Sequence, residues 1–331
     1  MTVLTVTPNP ALDTTYSLPA LVPGHSHRVE PPVIKAGGKG VNVARVVHQS
    51  GNSTHAVLPV GGESGALLRA DLAKSGFAHS LVEVAQPTRR SIAIYDGSTA
   101  SATLLNEIGG ELTTADWNNI VEVVGQQLPR SACLAGSGSL PRQAPEDFYA
   151  RLIQDARSLG IPTIIDTSGP ALLHAARAGA TVLKPNHHEL FEATGETNLE
   201  RGARMLLDLG AGLVLVSQGD KGMLAFDARE PAFYLHASLP SALEGNPTGA
   251  GDAAVAAVAV LLAHTSPDVT NMLRAATAWS ASAVLMPTAG VLHEDYHDMA
   301  DTVVISRHDI ACRTPPGSPH DTAPSTSRKD S

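Results

Sequence analysis

Short apolar segments alternate with amphipathic segments along most of the chain. Buried-looking apolar runs predict strands at residues 3–6, 56–60, 132–135, 163–165, 181–183 and 213–216. Helical spacing of apolar residues predicts helices at 41–49, 65–74, 115–127, 145–159, 171–177 and 199–209. Such alternation is typical of a mostly parallel sheet with helices on both faces, which is a three-layer α/β/α fold.

Two segments depart from this pattern. Residues 14–34 and 91–105 alternate polar and apolar side chains at period two and carry no helical pattern. We expect them to form a small antiparallel sheet that projects from the main body as a lid. The final segment, 313–331, is rich in Pro, Ser and Thr, which predicts a disordered tail after a single domain of residues 1–312.

Composition narrows the range of partners. The 331 residues carry a formal net charge of −9, which argues against nucleic acid or an anionic membrane as the main partner. Cys133 and Cys312 lie too far apart in sequence to suggest a disulfide framework or a metal knuckle. There is no signal-peptide pattern and no apolar run of membrane-spanning length. We therefore expect a cytoplasmic protein with small anionic ligands.

The most informative motif is Asn-Pro-Thr-Gly-Ala-Gly-Asp at residues 246–252, which leads into an Ala/Val-rich helix. Its glycines leave backbone N–H groups uncovered at a helix N-terminus, where an anion is favoured. Asp252 would repel that anion, but it suits a base that deprotonates a nucleophile. Gly249, Ala250 and Gly251 would then stabilise a transferring phosphoryl group through their N–H groups. The alternative is a helix cap with a flexible glycine turn.

A second glycine cluster, Lys-Ala-Gly-Gly-Lys-Gly-Val-Asn-Val-Ala, occupies residues 35–44. It places Lys39 and Asn42 about one turn apart near the start of a helix, which suits a phosphate or polyhydroxyl ligand. The spacing matches neither a Walker A loop nor the Gly-x-Gly-x-x-Gly fingerprint. The alternative is a strand-to-helix turn that needs glycine for packing.

Three further motifs lie in order with these two: Thr-Pro-Asn-Pro-Ala-Leu-Asp at 7–13, Ser-Gly-Ser-Leu-Pro at 137–141 and Lys-Pro-Asn-His-His-Glu at 184–189. Together the five resemble the ribokinase-like carbohydrate kinases, in the branch of 1-phosphofructokinase and tagatose-6-phosphate kinase. The resemblance covers about residues 2–305. It implies ATP- and Mg²⁺-dependent phosphorylation of a ketohexose monophosphate, with fructose 1-phosphate as first choice. Tagatose 6-phosphate and fructose 6-phosphate are the alternatives.

The resemblance also implies a set of residues that bind the sugar phosphate. Asp13 would accept sugar hydroxyls, and Lys39 with Arg89 would hold the existing phosphate; the full set is Asp13, Gly38, Lys39, Asn42, Arg89, Asn106 and Ser139. Asp13 alone could equally be a turn residue. Arg90 or Arg28 could share the phosphate or be surface charges.

Two positions depart from the family pattern. Ser91 stands where the family has asparagine, which puts that hydroxyl contact in doubt. Arg142 and Gln143 follow the 137–141 motif where Pro-Gly is usual. Arg142 would then either change which phosphosugar is accepted or face solvent.

On the nucleotide side, the resemblance implies contacts from Lys184, Asn186, Ser217, Gly219, Lys221 and Gly222. It also implies that Asn186 and Glu189 orient Mg²⁺ through water. From spacing alone, Asn186 and Glu189 could form a capping box, and residues 217–222 could be a hairpin turn. His187 and His188 lack metal-ligand spacing and are interpreted as surface residues.

Other classes of function are less favoured. A non-catalytic phosphosugar-binding regulator would have no need of Asp252, Glu189 and both glycines of the 246–252 motif. A nucleoside kinase would leave the lysine of the second glycine cluster without an anionic partner. A projecting sheet with free edges also suggests a homodimer through the lid.

Overall fold

The computed structural model describes residues 1–99, 101–264 and 267–310. The predicted tail at 313–331 lies outside these ranges. Within them the strands are, in chain order, β1 (Thr2–Val6), β2 (Ala11–Leu18), β3 (Val33–Gly37), β4 (Ser53–Val60), β5 (Ala78–Glu83), β6 (Arg89–Asp96), β7 (Ser101–Asn106), β8 (Cys133–Ser137), β9 (Thr163–Asp166), β10 (Val182–Leu183), β11 (Leu213–Ser217), β12 (Met223–Asp227), β13 (Phe233–Ser238) and β14 (Val304–Asp309).

The helices form two layers, one on each face of the main sheet. In chain order they are α1 (Lys39–Gln49), α2 (Gly62–Leu72), α3 (Thr114–Gln127), α4 (Phe148–Ser158), α5 (Pro170–Arg177), α6 (His187–Thr194), α7 (Leu199–Asp208), α8 (Ala250–His264), α9 (Val269–Val284) and α10 (Met299–Thr302). Helices α3 to α7 bury their apolar faces on one side of the sheet, and α1, α2, α8 and α9 do so on the other. In the described part of the chain, no helix is long and apolar enough to cross a membrane.

The main sheet has ten strands in the order β14-β13-β12-β11-β10-β9-β8-β1-β4-β5. The run from β11 to β5 is parallel throughout. Strands β12, β13 and β14 add to it as antiparallel neighbours. The predicted three-layer fold with a mostly parallel sheet is therefore confirmed. Parallel strands end at one common edge, so the loops that follow them meet there.

The small sheet has the order β3-β2-β6-β7, with β3 and β7 as antiparallel outer partners. Its central pair, β2 with β6, is parallel. The prediction of an antiparallel sheet was wrong for this pair. Strands β2 and β6 each follow a strand of the parallel main sheet, β1 and β5, and so leave the same edge in the same direction. Residues 19–32, within the predicted lid segment 14–34, form no strand.

Candidate active site

Five loops that carry polar residues come together at the carboxyl edge of the main sheet. The loops after β1, β8, β9, β10 and β11 leave this edge, and the N-termini of α1 and α8 point toward it. The register aligns Ser137 of β8 with Asp166 of β9. Lys184 follows β10, and its N–H donates to the carbonyl of Ile165 on β9. Charged side chains from distant parts of the sequence therefore share one edge.

The glycine loop before α8 is held by the turn that follows α9. The Asn246 N–H donates to the Val284 carbonyl at 2.8 Å, and its side-chain amide donates to the Pro287 carbonyl at 3.1 Å. Gly249 has a φ of 87°, and a methyl group there would lie 2.8 Å from Ala289. Both observations require glycine at this position. The helix then begins at Ala250, whose N–H donates to the Pro247 carbonyl at 3.2 Å.

Asp252 lies in the first turn of α8 and is only 5% exposed. The Asn42 amide of α1 donates to its Oδ2 at 2.8 Å. Burial raises the pKa of Asp252 to about 7; Lys39 opposes the shift and Asp166 adds to it. A carboxyl group with such a pKa can take up a proton near neutral pH. The geometry thus provides a base beside a helix N-terminus.

Two lysines and two acids form an ion-pair network next to this helix end. Asp166, 1% exposed, accepts from Lys39 at 3.0 Å and from Lys184 at 3.2 Å. Lys39 also donates to Glu189 at 3.3 Å. Burial opposes the charged form of Asp166, yet the two lysines hold its pKa below the usual value. A methyl group at Gly251 would lie 3.4 Å from the Lys184 ammonium, so the network adjoins the glycine loop.

Lys39 lies among acidic side chains, a position that the sequence did not predict. Burial opposes its charge, but Asp166, Glu189 and Asp252 together raise its pKa above the usual value. Its ammonium group therefore lies among the acids near the glycine loop, while the predicted sugar-phosphate partner Arg89 belongs to the lid strand β6. Asp166 was not among the residues predicted from sequence. Its signal was a carboxylate directly after the buried strand at 163–165.

Asn186 and Glu189 form the capping box that spacing alone suggested. The Asn186 side chain accepts from the N–H groups of His188 and Glu189, both at 2.9 Å. The Glu189 carboxylate accepts from the Asn186 N–H at 2.8 Å. The same bond orients Glu189 so that its other oxygen contacts Lys39. The capping box therefore also fixes the orientation of the Glu189 carboxylate toward Lys39.

The loop at 217–222 is a hairpin connection between β11 and β12. A bridge pairs Asn186 with Ser217, which places this loop beside the start of α6. Gly222 has a φ of 90°, and a methyl group there would lie 2.0 Å from the Ala237 carbonyl oxygen. Gly219 also has a positive φ, of 66°, and Lys221 is exposed. The hairpin interpretation holds, and the loop lies open beside the edge.

His187 and His188 lie at the first two positions of α6, with their rings 3.9 Å apart. Among residues 1–99, 101–264 and 267–310, no group of three or more His, Cys, Asp or Glu side chains is arranged to hold a metal ion.

The lid sheet presents a polar row toward this edge. Lys35, Asp13, Ser91 and Asn106 stand opposite one another on β3, β2, β6 and β7. Cross-strand partners share a face, so the four side chains form one row, which we call the polar row. The Ser91 hydroxyl donates to the Asn106 side-chain oxygen at 2.7 Å.

Asp13 is the most perturbed member of the polar row. Burial raises its pKa to about 6, with Arg89 and Arg45 opposing the shift. Its carboxylate lies over Gly37, where a methyl group would come within 1.9 Å of Oδ2. Arg89 shares this face of the lid and donates to the carbonyls of Asn9 and Glu107, both at 3.3 Å.

The remaining predicted sugar-side positions are Gly38 and Ser139. Gly38 has a φ of 103° and forms the N-cap of α1, against Thr7. Ser139 is exposed and follows β8 by two residues. Arg142 is also exposed, and so are Arg28 and Arg90.

A model of the pfkB family of carbohydrate kinases matches residues 7–294. Similar relatives include ATP-dependent 6-phosphofructokinase isozyme 2 of Mycobacterium tuberculosis, 34% identical over 300 residues, 88% of this chain and 87% of the relative. The 1-phosphofructokinase of Xanthomonas campestris pv. campestris is 32% identical over 312 residues, 91% of this chain and 97% of the relative.

Among solved structures, the tetrameric inhibited form of phosphofructokinase-2 from Escherichia coli has a TM-score of 0.81 at 28% identity. The likeness covers 90% of this chain and 98% of that one. The fold is therefore that of the ribokinase-like phosphotransferases, as the motifs predicted. The chain belongs to the pfkB family of carbohydrate kinases.

Proposed function

We propose that this kinase transfers the γ-phosphoryl group of ATP to a free hydroxyl of a ketohexose monophosphate, with fructose 1-phosphate as the first candidate. The observation that carries the proposal is the buried Asp252 in the first turn of α8, beside the Lys39–Asp166–Lys184 network. The polar row with Asp13 supplies a second set of groups that suits sugar hydroxyls.

The proposed reaction uses these groups in one step. Asp252 takes the proton of the acceptor hydroxyl while the new oxygen–phosphorus bond forms and the bond from the γ-phosphorus to the bridging oxygen of ATP breaks. ADP leaves with the electron pair of that bond. The N–H groups of residues 249–252 and the ammonium group of Lys184 stabilise the charge on the phosphoryl oxygens. Lys39, which the resemblance assigns to the phosphate already on the sugar, shares Asp166 with Lys184, so in this proposal its ammonium group also faces the transferred phosphoryl group.

We propose that Mg²⁺ is held here through water, because the described residues form no cluster that would ligate it directly. When Asp252 is ionised, Asp166, Glu189 and Asp252 bring three carboxylates against two ammonium groups, so the cluster has one excess negative charge and hard oxygen donors. Glu189 and the neighbouring Asn186 would hold the ion, whose chemistry is to neutralise the phosphates of ATP. In the same proposal, Ser217, Gly219, Lys221 and Gly222 bind the nucleotide.

Two substrates other than fructose 1-phosphate compete for the assignment. The Xanthomonas relative is named a 1-phosphofructokinase, whereas the Mycobacterium relative is named a 6-phosphofructokinase. Fructose 6-phosphate is therefore the second candidate, and tagatose 6-phosphate is the third. Parallel measurement of kcat/KM with all three sugar phosphates tests the proposal. We expect the highest value with fructose 1-phosphate; turnover of none of them would contradict the proposed class of substrate.

Activity should rise with pH through about 7. The base must be ionised, and burial raises the pKa of Asp252 to about 7, so kcat/KM should fall about tenfold per pH unit below it. Phosphate groups also titrate near this range. The control is Asn42→Ala: its amide stabilises the ionised Asp252, so its loss should move the acid limb to higher pH. If the acid limb does not move in this variant, it reports titration of the substrate phosphates and not of Asp252.

We also propose that the protein forms a homodimer through the face of the lid opposite the polar row. Ile34, Thr14, Ile92 and Leu105 stand in register on that face. Ile34 is 43% exposed and Leu105 53%, so apolar area faces outward. Sedimentation should give twice the mass of the chain for the wild type and the monomer mass for Leu105→Glu. A wild-type monomer would contradict the proposal.

A further inference from the structure

Lys35 is the member of the polar row that reaches across to the main body. It lies on β3 opposite Asp13, and its half-buried ammonium group donates to the Thr288 hydroxyl at 3.3 Å. In the described part of the chain, no carboxylate lies within 4.0 Å of this ammonium group. The contact therefore joins the lid to the main body without an ion pair.

Thr288 belongs to a turn that contacts three residues of the proposed active site, Asn246, Gly249 and Asn42. The Pro287 carbonyl accepts from the Asn246 amide at 3.1 Å. Ala289 lies so close to Gly249 that a methyl group there would come within 2.8 Å. A methyl group at Gly290 would lie 3.2 Å from the Asn42 oxygen, whose amide nitrogen holds Asp252. We call residues 287–290 the bracing turn.

Two parts of the site thus depend on the same turn. The bracing turn fixes the glycine loop that supplies the phosphoryl-binding N–H groups, and it packs against the residue that orients the base. Lys35 contacts this turn from β3, which is the strand at one outer edge of the lid sheet. The contacts therefore form a continuous path from the lid to the base through Thr288.

We propose that Lys35 is a positioning residue that couples closure of the lid to the alignment of the glycine loop and Asp252. The proposal rests on the function proposed above. With the Lys35–Thr288 bond made, the lid shields the γ-phosphoryl group, and the sugar hydroxyl is the nucleophile. Without the bond the lid opens more often, and water attacks ATP instead, which yields ADP and inorganic phosphate.

The first test uses Lys35→Met, which keeps the length of the side chain and removes its charge. We expect kcat/KM for the sugar phosphate to fall roughly tenfold. The ratio of ADP formed to sugar bisphosphate formed should rise above one. A defect in stability alone would leave that ratio unchanged. Lys35→Arg should restore most of the wild-type ratio, and the exposed Lys74→Met is the matched control.

The second test asks whether Lys35 acts through Thr288. Thr288→Val removes the hydroxyl with little change of shape and should reproduce the rise in the ratio. The double variant should be no worse than either single variant, because both remove one interaction. Hydrogen exchange of the β2 and β3 amides should be faster in all three variants. Additive effects, or an unchanged ratio with unchanged exchange, would overturn the proposal.

Hydrogen exchange needs no turnover, so it separates the two proposals. If the wild type phosphorylates none of the ketohexose phosphates, the proposed substrate fails. Faster, non-additive exchange in the Lys35 and Thr288 variants would still support the coupling. If the wild type is active and the lid exchange does not change, the coupling fails and the proposed substrate stands.

Discussion

Asp252→Asn is expected to lower kcat by roughly 10²- to 10⁴-fold, the range that general base catalysis contributes. KM for the sugar phosphate should stay within a few-fold of the wild type, because Asp13 and Arg89 on the lid are untouched. The amide keeps the shape of the side chain but cannot take up the acceptor proton. Steady-state assays at pH 8, where the wild-type carboxyl is ionised, measure the effect.

The stability of the same variant is an internal control. The folded-state pKa of Asp252 is raised from 3.8 to about 7, so between these pH values the folded chain holds a proton that the unfolded chain has released. Folding stability from this group is thus lost as pH rises through that window. Asp252→Asn should therefore be more stable than the wild type at pH 8 in urea unfolding. Near-normal turnover in this variant would remove Asp252 as the base.

The second large effect is expected for Asp166→Asn. Asp166 and Lys184 are 1% and 3% exposed as side chains, so the variant leaves a buried ammonium group without its carboxylate. Removal of one partner from a buried pair costs about 3–5 kcal/mol. Turnover should also fall, because the two lysines that we propose to bind the phosphates lose the group that orients them.

Urea unfolding at pH 7 measures the free energy, with the exposed Asp155→Asn as a matched control. The control should stay within about 0.5 kcal/mol of the wild type, as is usual for surface substitutions. If Asp166→Asn were equally mild, the two lysines would not depend on this carboxylate. The ion-pair network would then follow from the fold without contributing to its stability.

Local pattern was enough to predict the central part of the fold. Parallel strands such as β8 and β11 are continuous apolar runs, which is why their positions and layer were predictable. Strand β13 was missed because nearly all of its residues are half-buried, so it shows neither an apolar run nor a clear alternation.

The site was predictable where its residues lie in glycine motifs. Asp252 and Asn42 were both singled out from sequence, but their hydrogen bond joins positions 210 residues apart. Asp166 follows an ordinary buried strand, with no local motif to distinguish it from a structural acid. Lys35 and Thr288 are 253 residues apart, and neither position has a chemical signature of its own. Only the fold brings such pairs together.

The two faces of the lid are separated by a single step along each strand. Asp13 and Thr14 are consecutive, and so are Ser91 and Ile92, yet the first of each pair belongs to the polar row and the second to the apolar face. Loss or gain of one residue within β2 would exchange these faces along the rest of the strand. An insertion or deletion between Ala11 and Leu18 should therefore disrupt both the proposed sugar site and the proposed dimer contact at once.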